Sequence, residues 1–352
     1  MPDISHKIID QVLTIRQDQS ALNIIGGDSK SFLGRTPAGS PLHLREHTGI
    51  VDYQPEELVI TARAGTTLQE VEQTLSVQGQ ILACEPPLFD GKATIGGTLA
   101  CNLSGPARPW AGSIRDHVLG LRLINGKGEH LRFGGQVMKN VAGYDVSRLQ
   151  AGAMGTLGVI AEVSLKVMPG PAATLTLAKQ ADAEEAIHAM NKHSAEAAPL
   201  AGACWSEGIM YLRLAGAQSA VEKTAEQWSG DVLDNNASIW RDLREQQLSF
   251  FLDDKPLWRF SIRSSAAHFL TDGDWLIDWA GSQRWLRGHY SRMELDKLAE
   301  DAGGTVSIFH GGDRQGEVFH QPAPGLIALQ KRIKASFDPD GLFNPGRLYS
   351  WM

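Results

Sequence analysis

The sequence predicts an α+β protein of two domains, and three observations carry that prediction. Residues 1–170 are full of glycine and of short strands broken by turns. Pro169-Gly170-Pro171 then punctuates the chain. Beyond it the glycine loops thin out, and strands and helices follow in an order that suits an antiparallel sheet covered on one face. The length of 352 residues fits two domains better than one, and a composition of 42% hydrophobic and 21% charged residues is ordinary for a globular chain.

In order, MPDISHKIIDQVLTIRQDQ mixes Asp, Lys, Arg and Gln with its apolar residues, so it reads as an amphipathic first helix and not as a signal peptide. Leu22 to Ile25 is a short apolar strand running into Gly26-Gly27, and Leu58 to Ala62 is another, ended by Gly65. Thr67-Leu68-Gln69-Glu70 has capping-box spacing and starts a helix that turns Val71 and Leu75 inward. Val118 to Ile124 and Glu129 to Phe133 flank Asn125-Gly126-Lys127-Gly128, a hairpin signal. From Val159 to Val167 apolar residues alternate with Glu162, Ser164 and Lys166, which predicts a half-buried strand. After the proline pair, Asp182 to His193, Ser219 to Trp228 and Ser291 to Ala302 read as helices. Met210 to Leu214, Leu257 to Ile262 and Trp275 to Trp279 read as strands. Five of the nine tryptophans fall between Trp240 and Trp285, a density that suits a buried subunit interface on the second domain.

Several function classes are excluded. The net charge of -7 comes from scattered acids, and no basic patch suggests nucleic acid. Apolar runs are far short of a membrane span. The three cysteines, Cys84, Cys101 and Cys204, form no CxxC and are too few to ligate an iron–sulfur cluster. Without a secretory signal they read as reduced thiols of a cytoplasmic protein.

The chemistry is written in three glycine-rich loops. Ile25-Gly26-Gly27-Asp28-Ser29-Lys30-Ser31 can turn successive amides to one side as an anion-binding concavity, although a plain turn fits it equally well. Ala93 to Gly105 is nearly free of charge, unlike an ordinary surface loop, which suggests backbone approaching something flat and large. Gly152-Ala153-Met154-Gly155-Thr156-Leu157-Gly158 feeds the Val159 strand. Three such loops at strand ends imply one extended ligand with a diphosphate and ring systems. Neither GxGxxG nor GxxxxGK[ST] is present, so a nicotinamide Rossmann domain and a P-loop NTPase fit poorly.

In order, GGDSKSFLG, VITARAGTTLQEVEQTL, ATIGGTLACNLSGPARPWAGSIRDHVLG and MKNVAGYDVSRLQAGAMGTLGVIAEVSLKV resemble the FAD-binding domain of the vanillyl-alcohol-oxidase/p-cresol-methylhydroxylase (PCMH) type. The tail FDPDGLFNPG resembles that family's C-terminal signature. GQILACEPP, GPARPW, GEHLRFGG, VMKNVAGYD, LREQQLSFF and FNPGRLY bring the likeness closer to the smaller FAD-binding subunits of bacterial glycolate oxidases, over nearly the whole length.

The resemblance implies a PCMH-type FAD-binding domain of two subdomains over 1–170, an α+β cap with an antiparallel sheet over 171–310, and a segment over 311–352 that returns to the flavin. It implies a pyrophosphate loop at Gly26, Gly27, Asp28 and Ser29, and a ribityl and flavin loop at Thr94, Ile95, Gly96, Gly97, Asn102, Ser104 and Gly105. Ser113, Arg115 and Asp116 follow in the family's order. Arg115 and Asp116 either brace the loop or form a surface ion pair. Gly155, Thr156, Gly158 and Ile160 match the segment beside the adenosine half, and Asn344 belongs near the flavin or to a simple turn. Asp28 and Ser29 stand where many members carry a flavin-bonding histidine, so non-covalent FAD is expected. His310-Gly311-Gly312-Asp313 and His320 are a poor copy of the family's HxGDGNxH metal motif, and no metal site is expected.

Oxidising a 2-hydroxy acid needs a cation for the carboxylate and a base for the hydroxyl proton. Candidates are Arg108, Lys139 and Tyr144, with a partner or phosphate contact for Arg108 and a buried core tyrosine as the other readings. The implied activity is oxidation of glycolate to glyoxylate within a complex that holds a larger FAD-binding subunit and an iron–sulfur subunit, reaching the membrane only through those partners. Two alternatives stay open: a non-catalytic FAD-relay or structural subunit of that complex, and a stand-alone lactate-type dehydrogenase.

Overall fold

A computed structural model describes residues 3–135, 144–233, 238–269 and 273–352. Helix α1 (Ser5–Gln17) buries Ile8 and Val12 and leaves Lys7, Asp10 and Arg16 exposed, the amphipathic pattern its sequence shows. Strands β1 (Leu22–Ile25) and β2 (Ser40–His43) pair in parallel. Next come β3 (Ile50–Gln54), β4 (Val59–Arg63), α2 (Leu68–Ser76), β5 (Gln80–Ile81), α3 (Ile95–Cys101), α4 (Arg108–Ala111) and α5 (Ile114–His117). The strands β6 (Val118–Ile124) and β7 (His130–Gly134), helix α6 (Val146–Leu149) and strands β8 (Val159–Lys166) and β9 (Met168–Pro169) complete this half. An antiparallel five-stranded sheet runs β3-β4-β8-β6-β7, and β5 pairs with β9.

Local chemistry explains several of these boundaries. Thr67 caps α2 by accepting the Glu70 amide at 3.1 Å. Asn125 Oδ1 closes the β6–β7 turn by accepting the amides of Lys127 and Glu129, both at 3.0 Å. The β8 expectation needs correction. Val159, Ala161, Val163 and Leu165 are buried, but so are Ile160 and Ser164 on the opposite face, because β8 is the central strand of its sheet. Ser164 Oγ lies 2.8 Å from Thr61 Oγ1 across the β4–β8 pair, satisfying a hydroxyl that would otherwise be costly to bury.

The following region contains β10 (Ala173–Gln180), α7 (Ala183–Ser194), β11 (Leu200–Ser206), β12 (Ile209–Gly216), α8 (Gln218–Gln227), β13 (Asp231–Leu233) and α9 (Ile239–Glu245). It continues with β14 (Leu257–Ser261), β15 (Asp274–Asp278), β16 (Gln283–Arg287), α10 (Arg292–Asp301) and β17 (Thr305–His310). Its eight strands form one antiparallel sheet in the order β13-β10-β12-β11-β15-β16-β14-β17. Asp182 and Glu185 form a full capping box at the start of α7.

This sheet is covered on both faces, which corrects the expectation of one. On one face Leu212 and Leu214 pack with Met190 of α7 and Val221 of α8, and Trp258 and Phe260 with Leu295 of α10. On the other, Leu276, Trp285 and Phe309 share a core with Leu33, Leu103 and Met154 from the first half of the chain. The tryptophans follow: Trp240, Trp258, Trp275, Trp279 and Trp285 are all buried inside this chain and are not available as a subunit interface.

Polar bonds stitch the same seam. Glu245 accepts the amides of Leu88 at 3.1 Å and Phe89 at 2.8 Å, Arg244 pairs with Glu72 at 2.6 Å, and Trp279 Nε1 donates to Gly105 O at 3.0 Å. The tail carries α11 (Pro324–Phe337) and then joins β1: Leu22 donates to Leu342 O at 2.7 Å and accepts from Asn344 N at 2.9 Å. Lys334 anchors this return by donating to Thr156 O and Phe343 O and pairing with the buried Asp338 at 2.6 Å.

Candidate functional site

The loop after β1, helix α3, the loop before β8 and the tail converge on one cleft. Its lining includes Gly26 to Ser31, Thr94, Gly96, Gly97, Ala100, Cys101, Met154, Gly155, Gly158, Ile160, Asn344 and Arg347. Among the described residues, none of the amides from Gly26 to Ser31 donates to a protein acceptor. Gly26, Gly27, Ser29 and Lys30 are buried or half-buried, where amides are rarely left so, and a row of them marks a place where an anion supplies the acceptors. Asp28 takes a left-handed φ of 61°, which folds the loop back on itself. Arg45 holds it from outside by donating to Gly27 O at 2.9 Å.

The glycines here answer to space. A Cβ on Gly27 would stand 1.6 Å from Lys92 O, and one on Gly96 2.6 Å from Ala64 Cβ. Gly155 has a φ of 72° and lies against the Asn344 amide. Asn344 is buried and bridges β1 and the loop before β8, accepting Ile24 N at 2.8 Å through Oδ1 and donating to Met154 O at 2.6 Å through Nδ2.

Two cations reach the cleft. Arg347 is buried and donates to Ser31 O at 3.0 Å and Arg35 O at 2.9 Å. Lys30 is buried, bonds only Ser29 Oγ at 3.1 Å, and has no carboxylate within ion-pair distance among the described residues. Burial holds both below their usual pKa, and it raises the neighbouring Cys101, which stays a thiol. A cation buried without a counterion is costly unless a ligand provides one. Neither Lys30 nor Arg347 is among the residues that the sequence reading selects, although both lie inside motifs it quotes; burial beside the cleft is what singles them out. Replacing Lys30 with methionine is expected to leave the empty chain at least as stable and to weaken FAD binding about tenfold, the weight of one charge-assisted contact. A titration of FAD against both proteins, with melting curves, checks this; equal FAD affinities would count against the assignment.

Of the sequence candidates, Gly26, Gly27, Asp28, Ser29, Thr94, Gly96, Gly97, Gly155, Gly158, Ile160 and Asn344 line the cleft. Others do not. Ile95 is buried in the core behind α3, and Thr156 is buried with its hydroxyl on Ala153 O. Asn102 caps α3 in the left-handed region. Ser104 accepts the Ile114 amide at 3.2 Å, and Gly105 faces the seam. Ser113 and Asp116 bond each other at 2.8 Å at the start of α5, so they brace that helix. Exposed Arg115 reaches Arg148 O at 3.4 Å, and among the described residues it forms no ion pair with Asp116.

The catalytic candidates also separate. Arg108 lies at the seam with its guanidinium 4.5 Å from the Trp279 ring centre. Tyr144 is 98% exposed, contrary to a buried core residue, and lines no cleft described here. Lys139 lies outside the described residues. His320 pairs with Asp296 at 3.0 Å, while the His310 ring packs at a tilt against Phe32, so the two histidines serve different neighbours.

The family profile described as FAD binding domain matches residues 2–134, and that described as FAD linked oxidases, C-terminal domain, matches residues 278–348. The chain is 44% identical to glycolate oxidase subunit GlcE of Escherichia coli K12 over 348 residues, 99% of this chain and 98% of that one. It is 30% identical over 172 residues to glycolate oxidase subunit GlcD of Bacillus subtilis, covering 48% of this chain and 36% of that protein. A solved structure of alkyldihydroxyacetonephosphate synthase superposes with a TM-score of 0.66 at 16% identity, covering 98% of this chain and 75% of that one, a likeness of fold.

Proposed function

The chain belongs to the glycolate oxidase E-subunit family of FAD-linked oxidases, and from that premise we propose that it is the FAD-binding subunit through which a glycolate oxidase complex oxidises glycolate to glyoxylate. Its cofactor is FAD and its class is FAD-dependent hydroxy-acid oxidoreductase. In the finer reading a larger FAD-binding subunit works beside it, and an iron–sulfur subunit takes the electrons. No helix among the described residues is long and apolar enough to cross a membrane, so membrane contact in this reading comes through partners at its cytoplasmic face.

The observation that carries the proposal is the row of unpartnered amides from Gly26 to Ser31, backed by two buried cations and framed by glycines that admit no side chain. Those amides would hold the diphosphate, with Lys30 and Arg347 offsetting its charge. Thr94, Gly96 and Gly97 would let backbone approach the ribityl and ring portion, and Gly155, Gly158 and Ile160 the adenosine half. Asn344 ties β1 to the loop before β8 and so sets the width of the cleft. Bound FAD supplies a two-electron acceptor for the hydride that leaves the carbinol carbon. Of the catalytic candidates, Arg108 at the seam keeps a role in the local field, with Lys139 and Tyr144 as further variants to test.

The test is a visible spectrum of the chain purified alone, before and after anaerobic glycolate. Flavin bands that bleach would place the oxidation in this chain. Bands that hold, while the assembled complex bleaches, would make it a relay subunit. Asp28 and Ser29 offer no histidine for a covalent link, so acid precipitation should release all the flavin to the supernatant; flavin retained in the pellet would contradict non-covalent binding.

A further inference from the structure

A second, smaller pocket lies where the eight-stranded sheet meets the end of the α3 loop. Leu103, Ser104, Gly105 and Pro106 form its floor, and Arg259, Asp278, Gln283, Trp285 and Phe309 its wall. Most of its polar groups are committed. Arg244 serves Glu72 and Pro86 O, and Asp278 accepts the Trp279 amide at 2.7 Å and Gln283 Nε2 at 3.4 Å. Two are not. Among the described residues the Arg259 guanidinium makes no hydrogen bond or ion pair, having only the Phe309 ring at 5.2 Å, and Trp285 Nε1 is buried without an acceptor. An arginine fork and an indole N–H are both donors, and both lack an acceptor in a recess whose carboxylate, Asp278, is taken up by Trp279 N and Gln283. What completes such a recess is a small anion with several oxygens.

We propose that this pocket seats a small 2-hydroxy monocarboxylate, its carboxylate gripped by Arg259 and its hydroxyl facing the Asp278–Gln283 pair. The proposal rests on the oxidoreductase reading above and adds to it the residues that read the acid. Among the described residues both guanidiniums have only a ring contact, Arg108 with Trp279 and Arg259 with Phe309, but Arg259 lines this pocket and Arg108 does not. Nearby Arg108 adds positive potential, and burial lowers Arg259 to about 10, which leaves it charged at neutral pH. The hydroxy acid's short carbon chain would lie against Leu103, Pro106 and Phe309, and a bulkier acid would have to displace those side chains.

The test compares glycolate with glycolamide, the same molecule without the charge, by calorimetric titration of the full-length FAD-loaded chain held anaerobic. Wild type should bind glycolate roughly 10- to 100-fold more tightly, the range of a charge-assisted pair. Arg259→Gln should erase that preference and Arg259→Lys restore part of it. Equal binding of the two compounds by wild type would overturn the proposal, whether or not Arg259→Gln folds. A folded Arg259→Gln protein that keeps the preference would overturn it as well. Flavin bands recorded on the same samples separate the two failures. If Arg259→Gln still bleaches at the wild-type glycolate concentration, the oxidase reading survives and this site falls; wild type that neither binds nor bleaches removes this site and, where the assembled complex bleaches, leaves the chain a relay subunit.

Discussion

Gly27→Ala is expected to cut FAD occupancy of the purified chain to below about a tenth of wild type and to lower its melting temperature, because one methyl group has nowhere to go. Its Cβ would stand 1.6 Å from Lys92 O and 2.8 Å from Lys92 C, both backbone atoms that cannot rotate away. Separation to an ordinary contact requires the loop after β1 to move, and that loop carries the free amides. Overpacking of this kind costs roughly 1–3 kcal/mol in stability. The loss of binding should be larger still, since several amides shift together. Gly325 is the control: nothing lies within 4 Å of a Cβ there and it sits in the first turn of α11. Gly325→Ala should be neutral or stabilise by up to about 1 kcal/mol. A Gly27→Ala protein that holds FAD within about threefold of wild type would dismiss the cradle.

Asp278→Asn is expected to stabilise the protein strongly above neutral pH. Burial raises the Asp278 carboxyl from 3.8 to about 7, against the pull of the Trp279 amide and Arg213 and with the help of Glu85. The folded state therefore keeps a proton that the unfolded chain has lost between these values, so stability falls as pH rises from about 4 to about 7. Above that window the whole penalty, of order 4 kcal/mol, is in place. Asparagine keeps the Oδ1 acceptor for Trp279 N and carries no charge, and Gln283 can turn its amide to offer an oxygen. Urea unfolding at pH 5 and pH 8 checks the sign: wild type should lose stability between them relative to the variant, and parallel curves would refute the shift. Under the pocket proposal, such a cost is what a site for a hydroxy acid carries in exchange for function.

The contrast between what local sequence announces and what it hides is sharpest at particular residues. Thr67, Asn125 and Asp182 declared their helix and hairpin ends because each acts within four residues of itself. The loops at Gly26 and Gly155 are legible for a similar reason. Ala93 to Gly105, which reads as a third loop, instead holds helix α3 over Ile95–Cys101, capped by the Thr94 side chain accepting Gly97 N. Ser164 was misread as solvent-facing because alternation within one strand carries no information about its place in the sheet. Arg259 and Lys30 were overlooked because an unpaired cation is defined by partners it lacks, and those are absent only in three dimensions. The tryptophans looked like a subunit interface because composition cannot tell an outer surface from an internal seam.

The sequence by itself determined many of the element types, the α+β class and the family, since each rests on short-range propensity or on ordered motifs. The tertiary structure alone decided that the second sheet uses its far face to close over the first half of the chain. It alone brought the tail to β1, through contacts such as Asn344 to Ile24, 320 residues apart, and set Arg259 and Asp278 against Gly105. The physical reason is range: a cap or a turn closes over a few bonds, whereas a pocket at a seam exists only after two cores have formed and paid the entropy of bringing distant segments together.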